Sequence, residues 1–164
     1  AYSFAASLGA AIAVDKKRPV IAIIGDGGMQ MNIQELQTMI HYNIPVKLFI
    51  LNSNSYAIIM QFQQEWFDSK FYATIPENGY SAPDFVKIGK AYGIKSVRID
   101  SHKNIRQKIR NVLKYDGPIL CDVVIPFDSP LIPKTVFGKP IEDQAPLLSR
   151  EEFKKNMLVK ILDM

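Results

Sequence analysis

Two short stretches of this chain carry residues suited to chemistry: Gly25-Asp26-Gly27-Gly28 and Asn52-Ser53-Asn54-Ser55. The first offers one carboxylate and a backbone that a ligand can approach closely, because glycine has no Cβ. The second offers amide, hydroxyl and carbonyl oxygens. One carboxylate with neutral oxygens is a hard-cation donor set, and magnesium carrying a phosphate fits it. A helix starting after the glycines would add free N–H groups and a positive dipole end, which suit the phosphate.

The elements between these stretches must bring them together. An apolar run, Val20 to Ile24, leads into the glycines. A helix-like segment, Asn32 to Tyr42, follows, then Pro45 and a second apolar run from Val46 to Leu51. The order reads strand, loop, helix, strand, loop. Parallel strands joined by one crossover helix lie side by side with a right-handed connection. Both loops then leave the carboxyl edge of the sheet, about 4.8 Å apart. That edge is where open α/β sheets bind ligands. Ile33, Leu36, Met39 and Ile40 recur at helical spacing and should face the sheet.

The run from Gly25 to Leu36, followed by Leu51-Asn52-Ser53-Asn54-Ser55, resembles the diphosphate-binding signature of thiamine diphosphate enzymes, the acetolactate synthase-like members above all. The resemblance covers nearly the whole chain. It implies thiamine diphosphate and Mg2+ as cofactors. The metal would be held by Asp26, the Ser53 hydroxyl and the main-chain carbonyl of Ser55. Cofactor contacts would come from Gly25, Asp26, Gly27, Gly28, Ser53, Ser55, Ala57 and Ile58, with the Gly27 and Gly28 N–H groups on the diphosphate. The family usually has a second asparagine where Ser53 stands; serine is shorter and a poorer donor, and Asn52 substitutes only if the loop shifts. Acetolactate synthases usually carry methionine and tryptophan where Ile58 and Phe62 stand, positions that shape the second-substrate pocket. Their change implies a second substrate other than pyruvate. Gln34-Glu35 is similar to the family's Gln-Glu pair, whose role is partly structural.

The reaction implied is decarboxylation of a 2-oxo acid and carboligation. No catalytic residue is expected in this chain. In the family the catalytic glutamate belongs to a pyrimidine-binding domain, normally of a partner subunit in a homodimer or homotetramer. These residues alone would then be inactive. A simple 2-oxo acid decarboxylase or related lyase, a non-catalytic nucleotide-binding module, and a domain that has lost its metal through Ser53 remain alternatives. A dinucleotide fold fits less well: Gln30 stands where the third glycine is needed, and no acidic residue ends the next strand. There is no Gly-Lys-Ser/Thr of a P-loop.

Composition narrows the class. The 164 residues are 48% hydrophobic and 22% charged, as in a globular α/β domain. The net charge of +4 comes from scattered Lys and Arg, which argues against nucleic acid. No apolar run approaches the roughly 20 residues of a membrane span, and no signal peptide is evident. The single Cys121 suits a reducing, cytoplasmic setting. His41, near a helix end, reads as structural, and His102 has little support as a catalyst.

The expected fold is α/β, a mostly parallel sheet with helices on both faces, over residues 1–125. Residues 126–164 form a tail and helix packed on the same domain. Ala1 to Ala13, without an initiating Met, reads as a buried helix of a longer polypeptide, with Gly9 and the alanines packing closely. Tyr56 to Phe67 should form a helix starting at the site. Asp68 to Ala82 reads as a surface excursion, and Pro83 as the start of a helix with Phe85, Ile88 and Ala91 buried. Lys95 to Ile99 and Ile119 to Ile125 read as strands, the second central. Asn104 to Tyr115 is an amphipathic helix with Ile105, Ile109, Val112 and Leu113 inward. Phe137 to Asp143 resembles a C-terminal segment of acetolactate synthase-like proteins of sugar and surface-polysaccharide pathways, which can cover an active-site mouth; a plain surface strap is the alternative. Ser149 should cap a last helix, Arg150 to Leu162, with Glu152 completing a capping box.

Overall fold

The computed structural model describes residues 2–161. Strands β1 (Val20–Gly25), β2 (Val46–Asn52), β3 (Lys95–Ile99) and β4 (Ile119–Val124) form one sheet in the order β1-β2-β4-β3. All three pairings are parallel. The helices are α1 (Tyr2–Ala13), α2 (Asp26–Met31), α3 (Glu35–His41), α4 (Ala57–Trp66), α5 (Phe85–Ala91), α6 (Ile105–Lys114) and α7 (Arg150–Asn156). Among the described residues no helix is long and apolar enough to cross a membrane.

Apart from Lys47, Asp122 and the terminal Asn52, the two interior strands are apolar on both faces, as expected of parallel strands with both faces covered. Val46, Leu48, Ile50 and Leu120 join Phe4, Leu8, Leu36, Met39 and Phe85 in one core, which α1, α3 and α5 cover. On the opposite face Ile119 and Cys121 pack with Phe49 and with Ile105, Ile109 and Val112 of α6. Burial pushes the Cys121 thiol up to about 12. This second face is bare over β1: Ile21 and Ile23, in register with Lys47 and Phe49, are 51% and 60% exposed. Lys47 is nevertheless buried, because its ammonium donates to the carbonyls of Tyr115 at 2.6 Å and Gly117 at 2.8 Å. Its pKa is lowered, mainly by desolvation.

Several sequence expectations need correction. The crossover is not one helix from Asn32 to Tyr42. The chain turns helical at once, at Asp26, breaks at Asn32–Gln34 and resumes at Glu35. Two glycines in a helix cost about 1 kcal/mol each, but fully buried Met29 anchors α2 in the core. Half-buried Ile33 packs against the same core from the break. Helix α5 begins at Phe85, not Pro83, because the Asp84 carboxylate caps it by accepting the Lys87 N–H. Ala91 is exposed. In α6, Leu113 lies outward at 38% exposure. Gly9 is exposed, with open space where a Cβ would stand, so it serves no close packing.

The chain forms two compact units, one ending at Ser129 and a second starting at Pro130. In the second unit Lys134 and Ala145 form an antiparallel bridge with bonds of 2.9 and 2.8 Å. Arg150 grips Asp143 with two bonds, 2.8 and 3.0 Å, and lies over the Phe153 ring. The Ser149 hydroxyl accepts the Glu152 N–H at 3.2 Å, as a helix cap does. Helix α7 ends at Asn156, short of the expected Leu162, which lies outside the described residues. A short helix needs a buried face to persist. Phe153 supplies it, whereas Leu158 and Val159 beyond are exposed.

Candidate functional site

The sheet sets the two polar stretches side by side. Gly25, the last residue of β1, is in register with Leu51 of β2. Asp26 therefore follows one strand end and Asn52 the next. The Asp26 side chain and, in the loop after β2, Ser53 and Ser55 are buried: Asp26 is 3%, Ser53 5% and Ser55 1% exposed.

Asp26 is held by backbone alone on two sides. Its Oδ1 accepts the Gly27 N–H at 2.8 Å, and its Oδ2 accepts the Ser55 N–H at 3.2 Å. Burial raises its pKa; the N–H groups of Gly27, Ser55 and Asn54 and the Tyr80 hydroxyl pull the other way. The Ser53 hydroxyl donates to the Ser55 carbonyl at 3.2 Å. The Ser55 hydroxyl lies 3.0 Å from Ser53 Oγ and 3.1 Å from the Phe127 carbonyl. Asn54 takes the left-handed conformation at φ 52°, tolerated by asparagine better than by most residues. Its side-chain oxygen accepts the Ala82 N–H at 2.7 Å. A polar cleft of about 460 Å³ opens beside the loop, lined in part by Asn52, Asn54, Asp84, Arg98 and Phe127.

Gly27 has a clear steric role. A Cβ there would stand 2.1 Å from Tyr56 Cε1 and 2.5 Å from Cδ1. The Tyr56 ring therefore fills the space beside Gly27, and it packs on Tyr80 with ring centroids 4.2 Å apart. Tyr80 is buried; its hydroxyl accepts from Gln30 Nε2 at 3.0 Å and interacts with the Asp26 carboxylate. Burial and the nearby Asp26 charge raise the Tyr80 pKa.

Tyr80, Tyr56 and Gln30 complete the surroundings of Asp26. Sequence reasoning missed Tyr80 because it stands in the aperiodic stretch 68–82. That stretch is more than an excursion. Thr74 is buried, its carbonyl accepts the Tyr56 N–H at 2.9 Å, and Pro76–Asn78 form a turn of 3₁₀ helix. One signal was available: a tyrosine two residues before the Ala82-Pro83-Asp84 helix entry is placed at the sheet's carboxyl edge.

The expected site residues fall as follows. Asp26, Ser53 and Ser55 come together through the bonds above. Gly25 precedes α2, and Gly27 and Gly28 lie in its first turn. Ala57 and Ile58 open α4, Ala57 half-buried and Ile58 63% exposed. Asn52 is engaged elsewhere, its amide bonded to Asp122 and its oxygen to the Asn54 N–H. Among the described residues no group of three or more His, Cys, Asp or Glu could hold a metal, so any cation would depend on Asp26 plus neutral oxygens. That set fits a hard cation. The Asp26 carboxylate is buried with no Lys or Arg among the groups that act on it. A buried charge without a counter-ion is costly, and the serine oxygens beside it are of the type that magnesium accepts.

Comparison with known proteins gives a family match over most of the chain. The family profile described as "Thiamine pyrophosphate enzyme, C-terminal TPP binding domain" matches residues 1–123. An acetolactate synthase large subunit of Cyanidium caldarium is 33% identical over 138 residues, 84% of this chain and 23% of the relative. A probable acetolactate synthase large subunit of Methanococcus aeolicus is 36% identical over 124 residues, 76% of this chain and 20% of the relative. The chloroplastic acetolactate synthase 1 of Zea mays is 33% identical over 128 residues, with the same two shares. The chain thus spans less than about a quarter of the length of these relatives.

Proposed function

The chain belongs to the thiamine pyrophosphate enzyme family, as its C-terminal cofactor-binding domain, and from that premise we propose that it serves an acetolactate synthase-like carboligase. In this reading Asp26, the Ser53 hydroxyl and the Ser55 carbonyl hold Mg2+, and the α2 glycines face the diphosphate. The observation that carries it is the buried Asp26 carboxylate, which has no cationic partner among the described residues and lies against the Ser53–Ser55 loop. A cation there would balance the charge that burial now disfavours.

Thiamine diphosphate, when bound, supplies an electron sink for the carbanion left by decarboxylation of a 2-oxo acid. The residues of this chain hold and orient. Gly27 N–H and Ser55 N–H fix the two Asp26 oxygens. Ser53 fixes the carbonyl of Ser55. Ile58 and Phe62, both outward on α4, stand where acetolactate synthases usually place a methionine and a tryptophan. We read them as shaping a pocket for an acceptor other than pyruvate, such as a sugar-linked carbonyl compound. The base that generates the reactive carbon would come from a pyrimidine-binding domain of the full-length protein, in a homodimer or homotetramer. The buried, unreactive Cys121 thiol suits a reducing compartment such as the cytoplasm.

Calorimetry on the full-length protein tests the site. Asp26→Ala should abolish magnesium-dependent binding of thiamine diphosphate. Unchanged affinity would remove Asp26 from the site, and binding of a dinucleotide instead would favour a non-catalytic module.

A further inference from the structure

Behind the Ser53–Ser55 loop lies a chain of charged and amide groups. We infer that Asp122, acting through Asn52, is the positioning residue that sets this loop for the cation. The inference rests on the metal reading of the loop given above.

Asp122 is fully buried in β4, opposite Ile50 of β2. Its two oxygens take different partners. Oδ2 accepts Arg98 Nε at 2.9 Å, while Oδ1 accepts Asn52 Nδ2 at 3.0 Å. The guanidinium of Arg98 also reaches Asp84 Oδ1 at 2.9 Å, at the entry to α5. A carboxylate that served only as the partner of Arg98 would be expected to take the fork with both oxygens. Here one oxygen is given to Asn52 and the other to Arg98, so both are engaged. Asp122 can therefore orient a neighbour without drawing the cation to itself.

Asn52 passes that orientation on. With its amide nitrogen on Asp122, its oxygen faces forward and accepts the Asn54 N–H at 3.1 Å. A flip would set Nδ2 against the Asn54 N–H, donor against donor, and lose both bonds. The main chain is fixed as well, because the Asn52 carbonyl accepts the Ile125 N–H at 3.0 Å. Asn54 is thereby held in its left-handed turn, and the next N–H, that of Ser55, points at Asp26. Orientation thus runs from Asp84 through Arg98, Asp122, Asn52 and Asn54 to the Ser55–Asp26 bond.

An exchanged pair isolates the link. In the full-length protein, Asn52→Asp keeps the oxygen for Asn54 but sets a second carboxylate against Asp122. Adding Asp122→Asn returns an amide donor to the contact. Amide hydrogen exchange at Asn54 and Ser55, without cofactor, should speed up about tenfold in the single variant and slow again in the exchanged pair. Magnesium-dependent thiamine diphosphate affinity should fall about tenfold and recover in parallel. Asn52→Ala adds no charge, and should lose the same protection if Asn52→Asp fails to fold. Unchanged exchange at Asn54 in either single variant would overturn the inference whatever the protein binds. So would the expected exchange pattern with cofactor affinity intact throughout. If protection from exchange falls and recovers but the parent binds neither magnesium nor thiamine diphosphate, the ligand reading fails and the assignment of Asp122 to metal positioning falls with it.

Discussion

Replacing Gly27 with alanine asks whether the glycine is kept for the Tyr56 ring. The new methyl would meet Cε1 at 2.1 Å and Cδ1 at 2.5 Å, where carbon atoms pack best at about 3.5–4.0 Å. The ring must withdraw by more than about 1 Å. It has little freedom to do so. The Tyr56 N–H is bonded to Thr74, and its ring packs on Tyr80. Overpacking of this kind costs about 1–3 kcal/mol, and disturbing the ring pair adds up to about 1 kcal/mol. Alanine returns about 1 kcal/mol of helix propensity to α2. The net loss is about 0–3 kcal/mol, centred on about 1.5, which amides of α2 and α4 should report as roughly tenfold faster hydrogen exchange in the full-length protein. Gly25→Ala is the control, because no atom lies within 4 Å of its added methyl. In a Tyr56→Ala background the same Gly27→Ala change should slow α2 exchange instead. Slower or unchanged exchange in Gly27→Ala alone would refute the reasoning.

Three further outcomes are expected. The raised Asp26 pKa means that the folded protein holds this proton more tightly than the unfolded chain. Its contribution to stability is therefore complete below the ordinary value of 3.8 and lost as pH rises through the raised folded value. Between those limits the metal-free protein should gain stability on acidification relative to Asp26→Ala, and saturating Mg2+ should remove the gain; thermal melts in which both proteins follow the same pH trend would count against it. Asp84 and Asp143, both lowered, act in the opposite sense and only below the ordinary carboxylate range. Lys47→Met should destabilise by about 2 kcal/mol, since two carbonyls lose their donor; a denaturation midpoint equal to the parent's would show that water replaces the ammonium. The 164-residue chain alone, given magnesium, thiamine diphosphate and pyruvate, should release no carbon dioxide beyond the free cofactor rate; sustained release would place the catalytic base within these residues.

Much of this arrangement was legible in the chain. Val20–Ile24 and Val46–Leu51 read as strands from their apolar runs, although β1 is an edge strand with one bare face, and that placed Asp26 beside the Ser53 loop. The break at Asn32–Gln34 was not legible. The apolar spacing of Ile33, Leu36, Met39 and Ile40 continues through it, while helix α2 depends on the burial of Met29 against propensity. Tyr80 and Thr74 were missed for a related reason. Their burial comes from long-range contacts with Tyr56, Gln30 and Gln63, and a single stretch of sequence carries no period for such contacts. Asp122 stands in an apolar run, and only the neighbouring strands supply its partners Arg98 and Asn52.

Strand β2 is gripped at both of its ends. At the start, the buried Lys47 ammonium ties it to the turn before β4 through Tyr115 and Gly117. At the finish, Asn52 is tied to β4 by its side chain and its carbonyl. A slip of one residue would turn Lys47 to the other face and part Asn52 from Asp122. The strand therefore works as a ruler of fixed length, with its zero set at Lys47. Added or deleted residues within it would be counted at the Ser53–Ser55 loop, whereas the stretch between Phe67 and Tyr72, away from either anchor, can change length without moving the origin from which Ser53 is measured.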